Sequence, residues 1–255
     1  MNTRKVKKIY QRPKSLIDVP MHYCPGCGHA MTHKILAQVI DSLNIREKTI
    51  GVAPVGCAVL AYDYINCDIS EAAHGRVPAV ATGIKRSLPD RIVFGYQGDG
   101  DLAAIGLTET IHTANRGENI TIIFINNAVY GMTGGQMAPT TLLRQKTATS
   151  PEGRLSSIMG NPLRMCEMIN TLDKPYYIER VALDGPKGIL KAKKALEKAF
   201  KAQIAEKGYT FVELLSPCPT YIGHSPIKAI EYVKTQMARV FPTRVFRNEG
   251  VPINA

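Results

Sequence analysis

Two short runs, RIVFGY (Arg91–Tyr96) and ITIIFI (Ile120–Ile125), are almost wholly apolar and rich in Val and Ile. Such runs predict strands buried on both faces of a parallel sheet. Between them, Asp101–Arg116 carries Leu102, Ile105, Leu107 and Ile111 at helical spacing and stops at Gly117. Strand, turn, helix, strand is a βαβ unit, for which a right-handed crossover is expected. The same alternation recurs later, with a strand over Tyr176–Ala182, a helix over 187–207 and a strand over Tyr209–Leu215. A final helix is expected from Pro226 to Val240. Upstream, Ala30–Leu43 reads as a helix and Thr49–Val52 as a short strand running into a Gly/Pro turn. In the helix 187–207, Ile189, Leu190, Leu196, Phe200 and Ile204 are expected on one side and lysines on the other. The whole predicts an α/β fold with a mainly parallel, doubly wound sheet. Residues Tyr130–Arg154 form a long Gly-, Thr- and Pro-rich stretch, and loops of that length are functional or disordered. The expected layout is a basic arm over 1–18, one domain over 19–242 and a tail over 243–255.

Composition narrows the class. The 255 residues are 45% hydrophobic and 21% charged, as in an ordinary globular protein. No window approaches the roughly 18 unbroken apolar residues of a spanning helix. The basic start has no apolar core behind it, so a secretory leader and a membrane span are not expected, and a cytoplasmic chain is. Formal net charge is +11. Part of the excess lies in Arg4, Lys5, Lys7, Lys8, Arg12 and Lys14, and part in 187–207. A surplus of this size admits nucleic acid, an anionic membrane surface or an acidic protein as partner.

The sharpest chemical signal is Gly98-Asp99-Gly100-Asp101, between an apolar strand and a helix. Glycines let backbone approach a ligand closely, and a helix start offers free N–H groups to a phosphate. Asp99 adds a hard oxygen for Mg²⁺. Asn126-Asn127 stands at the end of the next strand, where the Asn127 amide oxygen and a nearby carbonyl complete a metal shell. Taken alone, the two aspartates also read as helix caps at a glycine turn.

Six cysteines in a reducing compartment are not structural disulfides. Cys24 and Cys27 form a CxxC in HYCPGCGH (22–29), Cys57 lies in PVGCA, and Cys218 lies between two prolines. CxxC plus two distant cysteines suits zinc or an iron–sulfur cluster. A zinc ribbon normally shows a second CxxC, and this sequence has none. Cys67 sits in ordinary surroundings, and Cys166, among Leu163, Met165, Met168 and Ile169, reads as a small core residue.

GDGD at 98–101 with NN at 126–127 resembles the thiamine diphosphate signature. NNAVYGMTGGQMAPTT (126–141) together with CPGCGH (24–29) resembles the β subunit of 2-oxoacid:ferredoxin oxidoreductases, over about Val19 to Pro242. The resemblance implies a thiamine-diphosphate-binding fold of the pyrophosphate type. It implies that Asp99, Asn127 and the Val129 carbonyl hold Mg²⁺, with the diphosphate on Gly98–Asp101. Tyr130, Gly131, Met132 and Thr133 would line the cofactor, and His74 and Arg76 match a segment near it. Cys24, Cys27, Cys57 and Cys218 fall where that family's 4Fe–4S ligands fall. The implied reaction is coenzyme A-dependent oxidative decarboxylation of a 2-oxoacid, with electrons leaving through the cluster to ferredoxin. Ferredoxins are typically acidic, which suits the basic surplus.

Thiamine enzymes need a Glu beside the aminopyrimidine. Glu47, Glu71 and Glu109 have no suitable context, and in the family that Glu comes from another subunit. Partner chains, α and in some members γ and δ, are therefore expected. Gly134 stands where some members carry a Lys, which leans the substrate towards a branched 2-oxoacid such as 2-oxoisovalerate, with 2-oxoglutarate close behind. Two other classes fit parts of the pattern. A non-redox thiamine-dependent decarboxylase subunit would need no cluster. A zinc-held basic nucleic-acid-binding module would use the CxxC and the arm, but the chain has no Trp and no second metal half-site.

Overall fold

The computed structural model describes residues 10–253. Among them, eight strands form one sheet: β1 (Thr49–Ala53), β2 (Asp68–Glu71), β3 (Ile92–Gly98), β4 (Thr121–Asn126), β5 (Tyr177–Ala182), β6 (Thr210–Leu215), β7 (Val245–Asn248) and β8 (Val251–Pro252). Their spatial order is β2-β1-β3-β4-β6-β5-β7-β8. The first six are parallel, and β7 and β8 close one edge antiparallel. The apolar runs at 91–96 and 120–125 are indeed β3 and β4, buried along almost their whole length because helices cover both faces.

On one face lie α1 (Gly28–Ser42) and the helix Pro186–Ile204, with Ile35, Leu36, Val39, Leu196 and Phe200 packed on Phe94, Ile123 and Val212. On the other lie α2 (Val77–Ser87), α3 (Leu107–Arg116) and the helix Met165–Asn170, which bring Val77, Ala81, Ala114, Met165 and Cys166 onto Val93, Ile122 and Phe211. The sheet is doubly wound, as expected, and Cys166 is a core residue. The helix Pro186–Ile204 buries Ala192, Ala195 and Ala199 beside Leu196 and Phe200, whereas Leu190 and Ile204 face outward. Of the expected apolar stripe, Ile189, Leu196 and Phe200 pack against the core and Leu190 and Ile204 do not, and alanines fill the rest of the buried face.

The described parts of the arm and of the tail are more embedded than their composition indicates. Arg4, Lys5, Lys7 and Lys8 lie outside the described residues. From Arg12 onward the arm is docked: Arg12 pairs with Asp18 at 3.0 Å, and the Lys14 and Ser15 amides and Ser15 Oγ all donate to the Asp41 carboxylate. At the other end, the segment read as a tail supplies β7 and β8. Arg247 of β7 is buried and donates to Asn170 and to the carbonyls of Asp173 and Gly250. The long stretch 130–154 is folded on itself by bridges at Tyr130–Gln136 and Thr147–Ser150. The buried Arg154 guanidinium secures it further by donating to six carbonyls around it.

Candidate functional site

Four neighbouring strands release the candidate residues at one edge of the sheet. β1 runs into Pro54–Cys57, β3 into Asp99, β4 into Asn127, and β6 into Ser216–Cys218. The carboxyl edge of a parallel sheet is where ligands collect.

Asp99 is only 3% exposed. Its Oδ1 accepts from the Asn127 amide at 3.1 Å, and its Oδ2 accepts from Thr140 Oγ1. Burial pushes the carboxyl up to about 7, against these hydrogen bonds, which favour the charged form. Among the described residues no Lys or Arg forms an ion pair with it.

The turn after β4 aims further oxygens at the same place. Ala128 is buried and left-handed, with φ 61°, a conformation that costs an L-residue energy. Its amide donates to Asn126 Oδ1 at 3.2 Å, and its carbonyl accepts from Thr141 Oγ1 and Gln145 Nε2. The turn carries the Val129 carbonyl back towards Asp99. One atom of the Asn127 side-chain amide lies 3.1 Å from Asp99 Oδ1 and 2.7 Å from Val129 O. With nitrogen there, it donates to both. With oxygen there, that atom accepts only a long 3.4 Å bond from the Val129 amide, and three oxygens converge with no hydrogen between them. Octahedral Mg²⁺, with Mg–O about 2.1 Å, separates adjacent ligands by about 3.0 Å. The two separations from the Asn127 atom, 3.1 and 2.7 Å, are of that size.

Asp101 lines the cavity and has a structural task as well. It is buried, and its oxygens accept from His74 Nδ1 (2.8 Å), the Gly75 amide (2.9 Å), the Val55 amide (3.3 Å) and Gln97 Nε2 (2.6 Å). It ties three loops together, and its side chain is already engaged. The helix after β3 starts at Asp99 and passes through one wide turn, Asp101–Ile105, before Gly106 and α3. Gly106 is required there: a Cβ would lie 2.6 Å from the Gly75 carbonyl oxygen. That close approach presses the loop 73–76 against the kink. His74 consequently lines the cavity, whereas Arg76 turns away to pair with Glu109 on α3. Arg76 is thus not a cavity residue, and Glu109 is occupied.

The cavity holds about 230 Å³ and is lined by Val55, Cys57, His74, Asp99 to Asp101, Ala104, Ile105, Asn127 and Val129 to Thr133, with Gly56 also in the wall. Tyr130, Gly131, Met132 and Thr133 form one continuous part of this lining. Gly98 ends β3 and is not part of the lining. Thr140 has no counterpart in the sequence reading: it lies inside the motif string, but no spacing rule pairs it with a carboxylate 41 residues away.

The cysteine loops meet behind the cavity. Gly28 donates to the Pro217 carbonyl at 3.3 Å. A Cβ on Gly26 would lie 2.5 Å from Pro226, and one on Gly28 would lie 2.1 Å from Ser216 Oγ. The CxxC loop is therefore clasped to the segment bearing Cys218. A Cβ on Gly131 would lie 3.0 Å from Cys57 Sγ and 3.8 Å from Cys218 Sγ, so the two sulfurs flank one glycine of the cavity wall. Burial pushes the thiols of Cys27 and Cys57 up to about 12 and that of Cys218 up to about 11, and the neighbouring sulfurs add to the rise. Cys24 acts on all three. The four cysteines thus occupy one neighbourhood. Among the described residues, no three His, Cys, Asp or Glu side chains converge as ligands of a single ion. His29 of the CPGCGH string faces inward, its Nδ1 2.9 Å from Tyr96 Oη.

Comparison with known proteins follows the same lines. Residues 54–214 match the family model described as "Thiamine pyrophosphate enzyme, C-terminal TPP binding domain". The 2-oxoglutarate synthase subunit KorB of Methanocaldococcus jannaschii is 36% identical over 222 residues, covering 85% of this chain and 78% of that one. The chain belongs to the thiamine-diphosphate-binding subunits of the 2-oxoacid oxidoreductases. Another relative in this family, the ketoisovalerate oxidoreductase subunit VorA of Methanothermobacter marburgensis, is 50% identical over 254 residues. That match covers 96% of this chain and 53% of VorA, so the chain spans about half that relative's length. Among solved structures, 2-oxoglutarate:ferredoxin oxidoreductase from Magnetococcus marinus, with 2-oxoglutarate, coenzyme A and succinyl-CoA bound, superposes with a TM-score of 0.75 at 25% identity, covering 96% of this chain and 88% of that one. The matched span 54–214 includes Cys57, Asp99 and Asn127 but neither the CxxC nor Cys218. It bears on the thiamine site and leaves the cysteines to the geometry. No helix among the described residues is long and apolar enough to cross a membrane.

Proposed function

We propose that this chain is the subunit of a 2-oxoacid:ferredoxin oxidoreductase that carries thiamine diphosphate, Mg²⁺ and a 4Fe–4S cluster. With partner chains it converts a 2-oxoacid and coenzyme A to acyl-CoA and CO₂ and passes the electrons to ferredoxin. A cytoplasmic setting would keep its six free cysteines reduced. The reading is carried by one observation: the cavity lined by Asp99, Asn127 and Val129 is also lined by Cys57 and by Gly131, and the Cys57 and Cys218 sulfurs both lie beside Gly131.

The residues present fit both groups. Asp99, Asn127 Oδ1 and Val129 O would hold Mg²⁺, and a cation there answers the cost of burying an unpaired carboxylate. The helix start at Asp99 and Gly100 turns backbone N–H groups towards a diphosphate. Gly56, at φ 129°, leaves the opposite wall open: a Cβ there would meet nothing within 4 Å. Thiamine diphosphate, when bound, supplies a ring that takes up the electron pair released as CO₂ leaves. Cys24, Cys27, Cys57 and Cys218 would hold iron, whose charge offsets the burial, and then the mutual repulsion, that raise the thiols of Cys27, Cys57 and Cys218.

The lining contains neither Lys nor Arg, while Val55, Ile105 and Met132 are apolar and partly exposed at its rim. Gly134 has φ 115°, a conformation a lysine adopts only with strain. Among the described residues, the lining offers no Lys or Arg to a second carboxylate, which favours a branched apolar 2-oxoacid. VorA, named for ketoisovalerate, agrees with that preference. The test is ferredoxin reduction by the assembled enzyme with coenzyme A and either 2-oxoisovalerate or 2-oxoglutarate. The branched acid should give the higher kcat/KM. Equal or reversed preference overturns the substrate assignment, and absence of any 2-oxoacid-dependent reduction overturns the reading as a whole.

A further inference from the structure

Glu213 lies in the middle of β6, fully buried on a central strand where a carboxylate costs several kcal/mol to desolvate. It is flanked by Arg180 of β5, itself 1% exposed, whose Nε is 2.8 Å from Glu213 Oε2. Arg180 also reaches Glu167 with both terminal nitrogens, at 3.0 and 2.5 Å, and lies against the rings of Phe241 and Phe246. Buried ion pairs rarely add stability over apolar residues of similar size, so the arrangement calls for another reason.

The other oxygen of Glu213 supplies one. Oε1 accepts from Asn126 Nδ2 at 2.7 Å, and Asn126 Oδ1 accepts from the Ala128 amide at 3.2 Å. Ala128 is the left-handed residue whose turn directs the Val129 carbonyl towards Asp99 and the Asn127 amide. The geometry points to Glu213 and Asn126 as positioning residues for the metal: Arg180 fixes Glu213, Glu213 orients the Asn126 amide, and Asn126 holds Ala128 in the conformation that presents the Val129 oxygen. Neither residue touches the metal. The inference rests on the proposed thiamine diphosphate and Mg²⁺ site.

The test measures Mn²⁺ binding by electron paramagnetic resonance, with thiamine diphosphate present, in the assembled enzyme. Asn126→Ala should weaken Mn²⁺ binding about ten- to hundredfold, the usual scale for removing a partner behind a metal ligand. At saturating Mn²⁺ and thiamine diphosphate, kcat should recover, because only the population of the binding-competent turn has changed. Glu213→Gln keeps an acceptor for Asn126 and should bind Mn²⁺ within about threefold of the wild type, whereas Glu213→Leu should behave like Asn126→Ala. Adding Ala128→Gly to Asn126→Ala removes the Cβ penalty of the left-handed turn and should restore part of the affinity. Unchanged Mn²⁺ affinity in Asn126→Ala overturns the inference, as does a loss that Ala128→Gly leaves untouched. If the wild-type enzyme itself fails to bind Mn²⁺ with thiamine diphosphate, the metal site falls rather than its support.

Discussion

A methyl group at Gly131 probes the wall between the thiamine cavity and the cysteines. Its carbon would stand 3.0 Å from Cys57 Sγ and 3.8 Å from Cys218 Sγ. Non-bonded atoms of this kind settle at about 3.5–4.0 Å, so Cys57 has to yield by roughly half an ångström while Cys218 need not move. Gly131 is not among the positive-φ residues, so its backbone accepts alanine and the effect is confined to the clash. Overpacking of this size costs about 1–3 kcal/mol, or about 5- to 150-fold in the equilibrium between ligated and released Cys57. The assay is iron and sulfide per chain, with the visible absorption, in anaerobically purified enzyme, alongside thiamine diphosphate binding. Gly131→Ala should lose iron and bleach. Gly98→Ala, where a Cβ meets nothing within 4 Å, should keep its iron. Full iron content and an unaltered spectrum in Gly131→Ala would refute the shared wall.

Cys218→Ser should abolish the cluster absorption and acceptor reduction while thiamine diphosphate still binds; survival of both signals removes Cys218 from the ligand set. The chain alone, given thiamine diphosphate, Mg²⁺ and coenzyme A, should not oxidise a 2-oxoacid, because its cavity lining contains no Glu to face the aminopyrimidine; turnover without partner chains contradicts this. Burial lowers the His33 imidazole to about 3, with His29 and His22 adding to the shift. The unfolded chain protonates His33 near 6.5 and the folded chain does not, so stability is complete above that value and is lost as pH falls towards 3. The slope is about 1.4 kcal/mol per pH unit from this residue. Urea unfolding between pH 7 and 5 should show a shallower decline in His33→Gln; identical slopes would show that His33 is not the titrating group.

How much could be read beforehand depended on burial. β3 and β4 announce themselves because both faces are covered, which forces Val, Ile and Phe into consecutive positions. β2, with the sequence DISE, is half-exposed at an edge and carries no such signal. β7 hides a buried arginine, satisfied by Asn170 and two carbonyls, inside what composition reads as a polar tail. Asp99 and Asn127 were legible because a strand, a glycine turn and an acid or amide recur in neighbouring positions. The duty of Asp101 was not, since its four donors come from Gln97, Val55, His74 and Gly75. Arg76 likewise looked available until Glu109 came round on α3. The CxxC stands out by spacing, and Cys57 and Cys218 by their Gly and Pro surroundings, but only the sheet order brings them to one edge.

That convergence bears on biogenesis. Cys24 and Cys27 are made early and Cys218 late, and they become neighbours only after β6 has joined β4 in the sheet. A nascent chain emerging from the ribosome presents a pair of thiols at first, too few to retain a cubane. With the proposed cluster on these four thiolates, iron delivery would follow folding rather than guide it, and the apoprotein would already be a competent substrate for the machinery that inserts clusters.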